Sequence, residues 1–151
     1  FRRLGEDERE LRRQAALFAE LRQRGIVDGE ERLSWIEALH AWHERHPATE
    51  MSYEFAPRQA VGAAGHHTFY RSPMSLQLTL AHEGELIDLL DVLRRDAPAL
   101  VAMRHCQMQR LEHAPAEENE ANATAETHGG GRLNLAATCA LEWINAQENR
   151  P

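Results

Sequence analysis

The sequence predicts an α+β domain: two helices on one face of a four-stranded antiparallel sheet, in the order helix-strand-strand-helix-strand-strand. Three observations predict it. Leucines and tryptophans recur at helical spacing in residues 30–46 and 83–97. Apolar and polar residues alternate in 51–55, 74–80 and 133–143, the mark of half-buried strands. Pro47, Pro57 and Pro98 punctuate the chain between these stretches.

Ahead of the domain, residues 1–29 read as a helical arm. Residues 1–24 are almost all helix formers, and Leu4, Leu11 and Phe18 recur at intervals of seven. Leu21 extends this seam, but Asp7 and Gln14 occupy the alternate positions. The helix would reach about 36 Å. Its stripe suits either docking on its own domain or self-association through Leu4, Leu11, Phe18 and Leu21. Gly25 and Asp28-Gly29 then end it.

From Glu30 to about His46 a helix turns Leu33, Ile36, Leu39 and Trp42 to one side, widened by Trp35 and Ala38. Met51, Tyr53 and Phe55 alternate with Ser52 and Glu54 in a short strand ending at Pro57. Residues 58–68 hold two glycines and no period, so a loop is expected there. A long strand follows, opened by Phe69 and Tyr70, with Met74, Leu76, Leu78 and Leu80 on one face. Pro73 points to an edge position or a bulge near its start. Glu83 to Ala97 forms the next helix, burying Leu86, Leu89, Leu90 and Leu93. Its charges run from Glu83 and Glu85 to Arg94 and Arg95, as the helix dipole prefers.

Val101 and Met103 open the third strand, while Cys106 and Met108 carry its apolar side onward in the other parity. A bulge near Arg104-His105 reconciles them. Residues 114–131 are small, acidic and glycine-terminated, too poor in large apolar side chains to offset their ordering entropy, so they should be disordered. Leu133, Leu135, Ala137, Cys139, Leu141 and Trp143 then alternate in the last strand. The last two strands form a hairpin closed by the acidic segment, which brings Cys106 close to Cys139. The two are either a disulfide or a pair of buried small hydrophobes, according to compartment.

Several function classes recede on composition. The 151 residues carry a net charge of -7, which disfavours a nucleic-acid groove. The polar sheet face offers Ser75, Gln77, Thr79, Asn134 and Thr138 rather than aromatics flanked by basic residues. There is no nucleophile elbow and no phosphate loop. His40, His43 and His46, three apart on one helix, suggest a metal-binding or hydrolytic enzyme as the alternative. Yet the His43-Glu44-Arg45-His46 spacing is wrong for a zincin, and a solvated helix face explains the histidines. No cofactor and no catalytic residue is expected.

The runs LSWIEALHAWHERH, MSYEFAPRQ, FYRSPMSLQLTLAHEGELIDLLDVLRRDAPALVAMRHCQMQRL and LNLAATCALEWI resemble the periplasmic domain of PilO-like proteins. These are inner-membrane components of type IV pilus machines, related in fold to the GspM component of type II secretion. The resemblance covers roughly residues 30–145 and rests on the phrases SPMSLQLTL, DLLDVLRRDAPAL, RHCQMQRL and CALEW. It implies a ferredoxin-like domain of permuted strand order over residues 30–151. It also implies a non-enzymatic part in aligning the pilus platform, pairing with copies of the chain and with a PilN-like partner. A periplasmic location, a membrane anchor upstream of Phe1 and a coiled coil after it, of which the arm 1–29 is the distal end, are expected on the same ground. The acidic segment 114–131 and the histidine-rich helix depart from the family's pattern.

Overall fold

The computed structural model describes residues 2–112 and 132–150. Among these described residues, three helices and five strands make up an α+β fold with one antiparallel sheet. Residues 114–131, expected to be disordered, lie outside the described residues.

Helix α1 (Arg2–Gln23) leads through a turn at Gly25, whose φ of 74° suits glycine, into a short extended linker. The linker lies alongside the end of the last strand. The Gly29 N–H donates to the Ala146 carbonyl at 3.1 Å, the Ala146 N–H to the Ile26 carbonyl at 2.8 Å, and Asp28 bridges Gln147. Ile26 and Val27 are buried. Residues 26–29 are therefore fastened to the body of the domain.

Helix α2 (Arg32–Arg45) buries Trp35, Leu39 and Trp42. All three belong to the expected stripe, and Ile36 and Ala38 are half-buried beside them; Leu33 alone departs from it, 70% exposed. The three fully buried residues lie on the i, i+4, i+7 line, and two of them are tryptophans, which carry the most apolar area. Trp35 stacks on Trp143 with ring centroids 5.0 Å apart, and Phe55 closes on both. Helix α3 (Gly84–Asp96) buries Leu86, Leu89, Leu90, Val92 and Leu93, and both helices share one core over the same sheet face.

The sheet has five strands where four were expected, because residues 59–64 pair rather than loop. β1 (Glu50–Phe55) and β2 (Gln59–Ala64) both pair with β3 (His67–Leu80), β1 along its second half and β2 along its first. Together they form one interrupted edge. Every residue of β2 is exposed, so no burial rhythm announced it. Its partner is the overhanging start of β3, joined through a turn at Gly65, where φ is 57°.

Pro73 also differs from expectation, since β3 is a central strand. Its tolerance has a local cause. Pro73 faces the break between β1 and β2, and its carbonyl accepts the Ala56 N–H at 2.9 Å. The N–H that proline lacks points to the same side, where residues 56–58 form no ladder.

β4 (Leu100–Arg110) and β5 (Leu135–Glu148) complete the order β1-β3-β5-β4. The register shifts between Met103 and His105, the bulge that the parity change predicted. β3 and β4 both run antiparallel to β5, so they are parallel to each other, connected by α3 and split by β5. On the helix-free face Ser75, Gln77 and Thr138 stand exposed.

Candidate interaction surfaces

Helix α1 carries a row of exposed apolar residues. Leu4 is 70% exposed and Leu11 66%, with Leu17 also open. The end of the helix is fastened to the domain. The Phe18 ring meets His67 edge-on at 5.5 Å, beneath the Arg22 guanidinium at 5.3 Å, and Arg24 donates to the Arg94 carbonyl. Leu21 is half-buried. Of the four residues expected to self-associate, Leu4 and Leu11 are free, Phe18 is partly engaged by its own domain, and Leu21 more so. Ion pairs from Arg12 to Glu8 and from Arg13 to Glu10 support the helix along its polar flank.

A second surface is the β4 edge. β4 pairs only with β5, so one side of its backbone is unpartnered among the described residues. Val101 is buried, but on either side of the bulge the helix-side residues are more open: Met103 is 39% exposed before it and Met108 38% after it. The opposite edge is guarded differently, by exposed Glu50, Ser52 and Glu54 and by the break at Pro57.

Cys106 and Cys139 are direct partners across β4 and β5, with Cα atoms 4.0 Å apart, and a disulfide joins them. It ties the edge strand to β5, its one partner strand among the described residues. Cys139 is buried and Cys106 half-buried.

The three helix histidines do not converge. His40 Nε2 shares a hydrogen bond with the Tyr53 hydroxyl at 3.0 Å, and His43 Nε2 donates to the Thr49 carbonyl at 2.7 Å. His46 Nδ1 donates to the Trp42 carbonyl at 2.9 Å, its ring stacks on Trp42, and Nε2 lies 3.6 Å from Asp88. Asp88 in turn accepts the Trp42 indole N–H at 2.8 Å, linking α2 to α3. Among the described residues no three histidine, cysteine or carboxylate side chains gather where a metal ion fits. Each imidazole is occupied in holding α2 to its neighbours.

Sequence reasoning missed one polar cluster, because its members come from three strands. On the open sheet face Glu142 of β5 is reached by Arg104 of β4 at 2.6 Å and by Arg71 of β3 at 3.4 Å. The Glu142 side chain is 13% exposed, so a single carboxylate anchors two guanidinium groups across the sheet. Only the strand register could have revealed it.

No protein-family model matches the chain, and comparison with curated proteins and with solved structures gives no match.

Proposed function

We propose that this chain is a non-enzymatic interaction module of PilO-like kind. It is the periplasmic part of an inner-membrane component in a type IV pilus or related secretion platform, associating with copies of itself and with a PilN-like partner. The observation that carries the reading is the open apolar stripe of α1. A helix whose leucines face water while its last turn is fastened to a folded domain is arranged to pair with something outside that domain. The β4 edge, with Met103 and Met108 beside an unpaired backbone, offers a second contact.

The finer fold reading belongs to the same proposal. A permuted ferredoxin-like domain requires a split strand-helix-strand unit, and β3, α3 and β4 with β5 between them supply one. The interrupted β1–β2 edge then counts as one strand of four. The resemblance adds the compartment: a cross-strand disulfide suits the periplasm, where thiols are kept oxidised. No described helix is long and apolar enough to cross a membrane.

The test is to place charges on the stripe. Leu4→Asp plus Leu11→Asp should leave the circular dichroism and unfolding of the domain unchanged while abolishing concentration-dependent association in sedimentation. Association that survives both changes would remove α1 from the account.

A further inference from the structure

The same helix also encodes which partner it accepts. Phe18 and Leu21 are already engaged by the chain's own domain, so the free seam is Leu4, Asp7, Leu11 and Gln14. Two copies sharing this stretch can run antiparallel or parallel. Run antiparallel, each leucine meets a polar residue, Leu4 against Gln14 and Asp7 against Leu11. Run parallel and in register, leucine meets leucine twice and Gln14 meets Gln14, which can share a hydrogen bond. Parallel pairing also brings Arg3 of one helix toward Glu8 of the other, at flanking positions of opposite charge.

Parallel self-pairing has one cost. It sets Asp7 against Asp7 in the middle of the free seam, two carboxylates facing each other between two leucine layers. Arg12 and Arg13 do not relieve this, being taken by Glu8 and Glu10 on the same helix, and Asp7 has no ion pair among the described residues. A charged residue at one seam position is a device for choosing a partner.

Resting on the association proposed for α1, we infer that Asp7 is a specificity residue that disfavours the homodimer. The preferred occupant of the stripe is a parallel helix from a different protein, apolar opposite Leu4 and Leu11 and carrying Lys or Arg opposite Asp7. The basic residue turns the repulsive layer into a hydrogen-bonded ion pair and leaves both leucine layers intact.

The chain itself can supply the complementary partner. Asp7 lies on the exposed part of α1, so Asp7→Lys and Asp7→Leu leave the folded domain untouched. Sedimentation equilibrium is run on the wild type, on each variant, and on an equimolar mixture of wild type and Asp7→Lys. The mixture should associate roughly tenfold more tightly than either component alone, and Asp7→Leu should self-associate more tightly than the wild type. If the wild type self-associates as tightly as Asp7→Leu and mixing brings no gain, the specificity role is overturned, while association through α1 stands. If no sample associates at all, the α1 reading fails with it.

Discussion

Helices α1 and α3 are built from the same materials and do opposite things. Both carry leucines at helical spacing along one side and charges along the other. In α3 the leucine face meets the sheet, and Leu89 and Leu93 are fully buried. In α1 Leu4 and Leu11 are exposed. Intrinsic helix preference is similar in the two, so the difference lies in packing. One helix is part of the core that stabilises the domain; the other displays the same chemistry outward. An amphipathic pattern states that a face will be covered, and not by which molecule.

The largest expected effect bears on the buried side of this contrast. Leu89→Ala should destabilise the domain by about 2–5 kcal/mol, read as a fall in urea midpoint, because it opens a cavity under α3. The paired change on α1, Leu4→Ala plus Leu11→Ala, should alter the unfolding of the isolated chain by less than about 0.5 kcal/mol. Equal effects would erase the distinction between the helices.

Next comes the disulfide, which braces the edge strand and not α1. Reduction, or Cys106→Ser with Cys139→Ser, should cost about 2–4 kcal/mol by lifting a constraint on the unfolded chain. The melting temperature should fall, with α1-dependent association unchanged at temperatures where the domain stays folded. A smaller effect is expected at the α2–α3 junction. Asp88→Ala leaves the Trp42 indole N–H without its acceptor and should cost about 1–3 kcal/mol in denaturant unfolding.

The smallest is electrostatic. The hydrogen bond from Arg95 holds the Asp96 carboxyl below the usual carboxylate range. Its contribution is therefore complete above the ordinary carboxylate pKa and is lost as pH falls through the lowered one. Both side chains are exposed, so added salt should nearly erase the difference between wild type and Asp96→Asn in acid unfolding.

How much of this was legible depended on whether burial leaves a rhythm in the sequence. α3, β5 and the bulge at Met103–His105 all follow from apolar parity, because each element has one face in the core. β2 left no rhythm, since every residue from Gln59 to Ala64 is exposed and its pairing comes from the overhang of β3. Pro73 misled because its position depends on a gap in a different strand. Leu33 misled because α2 is oriented by its tryptophans, and only the packed structure shows which residues of a broad apolar stripe win the core. The arm was legible as a helix with an apolar stripe. Its freedom was not, because docked and projecting helices share one pattern.

The measurement that bears most directly on the account is sedimentation of the whole chain beside a chain lacking residues 1–22. The cut spares Ile26, Val27 and the bridge from Asp28 to Gln147, so the domain keeps its linker. The account predicts that the whole chain associates as its concentration rises, weakly, and that the shortened chain stays monomeric and folded. A shortened chain that associates as strongly as the whole one would contradict it and move the contact to the β4 edge.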